Sequence, residues 1–401
     1  MLIPAHDNTT RHQIRHSVVA SCLFLVPIYL STIEMVPAGI KQSTYLQFLL
    51  YPLLLAFAGS RDYIVGALLF CVVLAFNSFK ERCGAFGEVF FESAKLSLYL
   101  FSGIIASKVS KPDDFIRAVV ALSTISALVI IASFLLHAGT GFSIFSDGGY
   151  GKVRPHALVS EPSATAIPLS MLAVVAVVKR KASLLLLAVV ACVMTQSVIA
   201  GLLVFVGTSI AVAGKFASGR VLLFSLLIAA PALLFFLESP DNFSFLATIS
   251  PRLHTGLLAV SSGGEIGHNP RFITTQIILQ QLRETGTLAT GLGAEINSCL
   301  NEGLQWGYDA NLLIFLVRSV GYLGVFAVAC FLIFSTYRAA QLNDRGANYF
   351  IFPITVVVMV GVLINGAQGL LYFSFLAMLC FGIHRQWRQM RMPDSGSYPA
   401  H

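Results

Sequence analysis

Three arginines, two carboxylates and a histidine are the side chains whose type and spacing could do chemistry in this chain: Arg154, Arg271, Arg318, Glu161, Asp309 and His268. In His268-Asn269-Pro270-Arg271, asparagine is a good N-cap and proline is favoured at the first helical position. Arg271 is therefore expected in the first turn of a helix, among free N–H groups and partial positive charge. A cation there is unfavourable unless an anion is bound, and arginine beside a helix N-terminus is a natural phosphate site. An ordinary surface arginine that tolerates the dipole is the alternative. Arg154 precedes Ser160-Glu161-Pro162-Ser163; Pro162 is expected to begin a helix, with Glu161 as its capping acid or as a carboxylate held for chemistry. Asp309-Ala310-Asn311 likewise offers either a cap or a general base for a hydroxyl proton. His268 and His254 are further bases. Arg318 is expected two turns inside an apolar helix, about 10 Å deep, where charge marks a functional site or a buried pair with an acid such as Glu92 or Glu238. Gly291-Leu292-Gly293 follows no strand and reads as a turn, not a nucleotide loop. No Walker, His-Glu-x-x-His or Gly-x-Ser-x-Gly sequence occurs, and no cluster with metal-ligand spacing, so neither metal nor cofactor is expected.

The elements that must position these residues are apolar. Of 401 residues, 56% are hydrophobic and 11% charged; a soluble domain carries roughly 25% charged residues, so this chain could not cover its surface in water. The apolar residues come in runs that approach the ~20 needed to cross a bilayer. About twelve spans are expected, at 17–36, 44–60, 63–79, 88–107, 115–137, 163–178, 182–196, 198–214, 221–238, 311–337, 349–364 and 369–384. Two long apolar stretches are divided into short hairpins, one at Thr195-Gln196-Ser197 and the other at Asn365-Gly366-Ala367-Gln368. With both termini in the cytoplasm, twice as many lysines and arginines fall in inner segments as in outer ones, and the cluster Lys179-Arg180-Lys181 falls inside. The basic residues sit singly or in short groups between apolar runs, so the net charge of +7 signals topology and not nucleic acid.

The expected fold is thus an all-α polytopic integral membrane protein, one membrane domain over residues 1–401. It has outer loops at 138–162 and 239–310, and residues 392–401 form a disordered tail. The second loop holds an amphipathic helix over 271–283, with Ile273, Ile277, Ile278 and Leu282 on one side, suited to the membrane interface. The apolar stretch after Arg11 and Arg15 shows no small-residue cleavage site and reads as an uncleaved first helix. Five of the seven cysteines lie in apolar runs; Cys83 and Cys299, in outer segments, are the one pair open to a disulfide.

The order of these features resembles the bacterial O-antigen and exopolysaccharide polymerases (Wzy type), which are related to the O-antigen ligases (WaaL type). The likeness rests on Arg154 followed by Glu161-Pro162, on Arg271 followed by an amphipathic segment and Gly291-Leu292-Gly293, and on Asn311-Leu312-Leu313 followed by Gly321 and Gly324. It covers roughly residues 150–325. Two departures stand out: the ligases usually carry a histidine near the position of Asp309, and many relatives have Ser-Arg where this chain has Gln196-Ser197. The resemblance implies a GT-C-like enzyme of the bacterial inner membrane that joins repeat units from undecaprenyl-diphosphate-linked oligosaccharide at the periplasmic face. A growing glycan accepts, membrane lipids surround, and a chain-length regulator is a conceivable partner. Arg154, Arg271 and Arg318 would hold the diphosphate, and Asp309, Glu161 or His268 would activate the acceptor. A ligase, and in another class a flippase or transporter, are the competing readings. Reporter fusions at Ser262 and Asn343 are expected to report opposite sides of the membrane; the same side for both would break this topology.

Overall fold

The computed structural model describes residues 7–30, 43–78, 86–142, 146–147, 154–155, 157, 165–195, 197–214, 216, 218, 220–221, 225, 270–289, 291, 312–343, 351–364 and 374–378. Apart from one pair of two-residue strands, its elements are helices. In chain order they are α1 (Asp7–Tyr29), α2 (Ser43–Leu55), α3 (Ser60–Ser78), α4 (Phe86–Val109), α5 (Pro112–Thr140), β1 (Ser146–Asp147), β2 (Arg154–Pro155), α6 (Ala166–Val178), α7 (Ala182–Thr195), α8 (Val198–Ala213), α9 (Pro270–Glu284), α10 (Leu312–Asn343) and α11 (Ile351–Ile364).

The apolar runs set most of these boundaries. The spans expected at 63–79, 88–107, 115–137, 182–196, 198–214 and 349–364 match α3, α4, α5, α7, α8 and α11 to within three residues. The hairpin at Thr195-Gln196-Ser197 is real: α7 ends at Thr195 and Ser197 caps α8, its Oγ accepting from the Ala200 N–H at 3.4 Å. Three expectations need correction. The first helix covers 7–29 and not 17–36; its polar leading residues continue the helix, because backbone hydrogen bonding does not require apolar side chains. The second ends at Leu55, where the chain tightens into i→i+3 bonds at Ala56, Phe57 and Ala58 before Gly59. The tenth is broken at Gly321. Nearly all of 221–238, all of 239–269, most of 369–384 and the tail 392–401 lie outside the described residues.

The core is centred on α6, of which every residue but Val177 is buried. It packs against α5, α7, α8 and α11. Glycines let the backbones close. A Cβ at Gly207 of α8 would stand 2.7 Å from Val357 Cγ2 and 3.0 Å from Val174 Cγ2, and one at Gly361 of α11 would meet the Ile167 side chain and Leu203. These contacts pair 167, 203 and 361 at one level and 174, 207 and 357 at the next. So α6 and α8 run parallel and α11 antiparallel to them, as the charge-based alternation requires. A second group, α1, α2, α4 and α5, is joined by aromatics: Phe24 stacks on Tyr51, and Phe115 meets both Phe24 and Phe375. Here Ser17 Oγ accepts from the Lys111 N–H at 2.7 Å, and Tyr29 and Ser123 hydroxyls pair at 2.8 Å. Equal chain separations between those two contacts make α1 and α5 parallel. Asp62 at the start of α3 forms an ion pair with Lys108 at the end of α4, and that hydrogen bond holds the Asp62 carboxyl below its ordinary range. The segments carrying Arg61, Lys108 and Lys111 thereby share one end of their bundle.

Two helical stretches, Asp113–Thr140 and Gly321–Gln341, are long and apolar enough to cross a membrane, and about a third of each apolar window is buried. On α5, Ile125, Leu128 and Leu135 are each at least half exposed. The core helix of a soluble domain buries such residues; a helix apolar on all sides belongs inside protein or lipid.

The α6–α7 turn closes with two bonds, Lys181 N–H to Ala176 C=O at 2.8 Å and Arg180 N–H to Val177 C=O at 3.3 Å. This is the Schellman pattern, whose left-handed residue is usually glycine. Here Arg180 takes it, at φ 55°, a strain of about 1 kcal/mol relative to glycine.

Since the Gly361 contact leaves no room for a methyl group, Gly361→Ala is expected to destabilise the protein by about 1–3 kcal/mol through overpacking. The thermal unfolding midpoint of the purified protein checks this, and Ile167→Ala on the same chain should restore part of the loss.

Candidate functional site

The segment after α5 contains the short ladder in which Ser146 faces Pro155 and Asp147 faces Arg154. An acidic and a basic residue thus occupy facing register positions, which sequence reading missed. Strand β2 packs against α5 and α7. The expectation that Glu161 caps the sixth span is corrected: Thr165 is the N-cap of α6. Pro168, which has no N–H to donate, falls in the first turn of α6, and Leu169 N–H donates to the Thr165 C=O at 3.1 Å. Glu161, Asp309, His268, His254 and Glu238 lie outside the described residues.

The α9 region is ordered as its sequence dictates. The helix starts at Pro270, so Arg271 stands in the first turn. Ile278 and Leu282, one turn apart, are buried with Val317 of α10, and Leu279, Leu288 and Val325 pack around them. Ile277, Gln280, Arg283 and Glu284 are exposed. The helix closes in a Schellman pattern with glycine at the left-handed position: Gly286 (φ 69°), Thr287 N–H to Leu282 C=O at 3.0 Å and Gly286 N–H to Arg283 C=O at 3.1 Å. A second left-handed glycine, Gly291 (φ 72°), donates to Thr287 C=O at 2.6 Å, so the expected turn around Gly291 is present.

This turn docks into a break in α10. At Gly321 the backbone leaves the helix (φ 64°, ψ −172°), a region open essentially to glycine alone. The break frees the first N–H groups of the second part of α10. Tyr322 N–H donates to Leu288 C=O at 3.0 Å and Leu323 N–H to Ala289 C=O at 3.2 Å. Leu282 and Val317 share one apolar cluster, and the turn that follows α9 reaches the backbone at Tyr322 and Leu323, so the C-terminal end of α9 is the end held against α10, and Arg271 stands at the opposite end of the helix. Arg318 stands about two turns into α10, as expected, and three residues before Gly321, in the last turn of the first part, where a cation matches the negative end of the helix dipole.

Of the six candidate side chains, the structure fixes the backbone of three. Arg271 and Arg318 belong to one unit, α9 with α10, and Arg154 belongs to a strand resting on α5 and α7. The structural residues that sequence reading missed are Gly321 and Gly286. A glycine in an apolar helix carries no local sign that it breaks the helix; Gly286, after Arg283-Glu284-Thr285, was a readable helix stop. Compared with protein-family models and with curated proteins, the chain matches neither.

Replacing Gly321 by alanine is expected to cost about 1–3 kcal/mol in backbone strain. Hydrogen exchange should speed up at the Tyr322 and Leu323 amides and spread to α9, while α6 and α8 keep their protection.

Proposed function

We propose that this chain is a multi-pass protein of a bacterial inner membrane, with about twelve spans and both ends in the cytoplasm, that polymerises oligosaccharide repeat units from undecaprenyl-diphosphate donors at the periplasmic face. The observation that carries this reading is the unit of α9 with α10: α9 starts with Arg271 in a first helical turn, where an anion is favoured, its other end is docked into the break in α10, and Asp309 precedes the start of α10 by three residues in sequence. Transfer from a lipid diphosphate needs a phosphate-holding cation, the role given to Arg271, and a base, the role given to Asp309. In the reaction the acceptor hydroxyl attacks the anomeric carbon of the donor sugar and gives its proton to the base, Asp309 first, with Glu161 or His268 as alternatives. The sugar–oxygen bond to the diphosphate breaks, and the electron pair leaves on undecaprenyl diphosphate. Fixed arginines steady the charge that develops on the departing group, and Arg271 is the principal one. Arg318 and Arg154 are secondary: Arg318 has a role in helix-dipole matching, and β2 rests on helices other than the α9–α10 unit.

A broken helix is also a hallmark of transporters, and the Gly321 break is what favours the second reading, a flippase for the same lipid-linked glycan. The polymerase is preferred because the N–H groups freed at Tyr322 and Leu323 are taken up by Leu288 and Ala289 carbonyls, not left to bind a passing substrate.

Reconstitution with undecaprenyl-diphosphate oligosaccharide distinguishes the readings. A ladder of repeat-unit lengths supports the polymerase, a single product on another acceptor indicates a ligase, and movement of intact donor across the bilayer indicates a flippase. In that assay Arg271→Ala is expected to lower turnover by about 10²–10³-fold, with unchanged accumulation in the membrane, and Arg271→Lys should fall between because bidentate contact is lost. Full-length polymer from Arg271→Ala would end the proposal. If Arg154 shares the site, the Arg154→Ala and Arg271→Ala losses will not multiply in the double variant.

A further inference from the structure

Two helices of this protein close with the same hydrogen-bond pattern and differ at the residue that bears the strain. At the end of α9 the left-handed position is Gly286 (φ 69°); at the end of α6 it is Arg180 (φ 55°). Glycine would adopt that conformation without strain, so the side chain at 180 is kept against backbone preference. Its own packing does not explain it. Lys179, Arg180 and Lys181 are all exposed, and among the described residues no carboxylate pairs with any of them. Departures from local preference are expected where function demands them. The location says what the demand is. The turn leads directly into α7, whose outward apolar face is established at Leu186 (65% exposed) and continues through Val189 and Val193. Leu186 is five residues from Lys181, about 7 Å along a helix axis. Three cations with no carboxylate partner among the described residues therefore sit one short step beyond an apolar outer surface, the distance that separates acyl chains from lipid phosphates.

We propose that Lys179-Arg180-Lys181 docks the headgroup phosphate of an anionic phospholipid, with Arg180 as the planar, bidentate member of the three. This rests on the membrane reading above but is independent of the polymerase activity. Turn geometry and charge both contribute: the αL residue points the chain back into α7, which brings three successive side chains to one tight corner.

The test uses the full-length protein in nanodiscs of phosphatidylcholine, with dioleoylphosphatidylglycerol titrated in. Bound lipid is counted by native mass spectrometry, and the thermal midpoint is followed. In pure phosphatidylcholine, Arg180→Gly should unfold at or above the wild-type temperature, because the strain is relieved. Its affinity for phosphatidylglycerol should fall about fivefold, the equivalent of about 1 kcal/mol for one cation at an anionic surface. Arg180→Asn, neutral and tolerant of the left-handed region, should behave likewise, and Arg180→Lys should lose less. Equal phosphatidylglycerol affinity in wild type and Arg180→Gly would overturn the proposal. So would an equal rise in midpoint from inorganic phosphate or from an acidic peptide, which would assign an anion or protein site in place of a lipid one. Reversed sidedness of an Asn343 reporter in Arg180→Gly would make the cation a topology signal, and overturn it too. A protein that stays dispersed without detergent or disc would remove the membrane reading itself before any lipid comparison.

Discussion

The close approach of α6, α8 and α11 through Gly207 and Gly361 is the contact on which the rest of the described bundle depends. With Leu, Val, Ile and Phe side chains on outward faces as well as inward ones, burial of apolar surface does not by itself tell one helix packing from another. If hydrocarbon surrounds the bundle, moving a leucine from lipid to protein gains little. What selects the arrangement is then shape: two glycines that admit Val174, Val357 and Ile167 where any larger residue would hold the backbones apart. Because α6 is enclosed on all sides, its position fixes those of α5, α7, α8 and α11, and through α5 and α7 it fixes the strand that carries Arg154.

The second constraint is on backbone polar groups. A break inside an apolar helix leaves N–H and C=O groups that hydrocarbon cannot satisfy. At Gly321 the Tyr322 and Leu323 N–H groups are satisfied by the turn after α9, whose own carbonyls at Leu288 and Ala289 would otherwise be in the same difficulty. The break and the turn are therefore one structure. Leu282, Ile278 and Val317 give it an apolar seam, and Gly286 and Gly291 give the turn the left-handed residues it needs. The consequence for function is mechanical: Arg271 is not on a free loop but at the far end of a 15-residue helix whose other end is pinned into α10.

Much of this was legible in the sequence, and the failures have identifiable causes. Apolar runs gave α3, α4, α5, α7, α8 and α11, because a helix that is apolar on all sides announces its length. Asn269-Pro270 gave the start of α9, because capping chemistry is local. The start of α6 was placed a turn early because two prolines stand there: Pro162 is compatible with a helix start, and Pro168 is equally at home in a first turn. The Gly321 break was illegible because a glycine between valine and tyrosine in an apolar run is equally at home in a continuous helix; only the carbonyls of residues thirty-odd positions away make the broken form the stable one. The register that sets Arg154 opposite Asp147 was not legible either, because the two lie seven positions apart and only strand pairing brings them to facing positions.

A lipid diphosphate needs cations that are fixed in place. Arg154 stands opposite Asp147 in the ladder register, and Arg318 stands in the last turn of a helical segment, where a cation is favoured. Arg271 has the opposite relation to its surroundings: it stands in the first turn of α9, where the helix adds positive character to its own charge. Like charges held together by a pinned helix are a poor arrangement for stability and a good one for receiving an anion. A flippase would need such a grip to be released on the way across the membrane, which a helix pinned at its other end by two backbone bonds does not favour. An enzyme needs the grip to hold while a sugar leaves, and rigidity then serves the reaction, since donors that are already in place pay no reorganisation as charge develops.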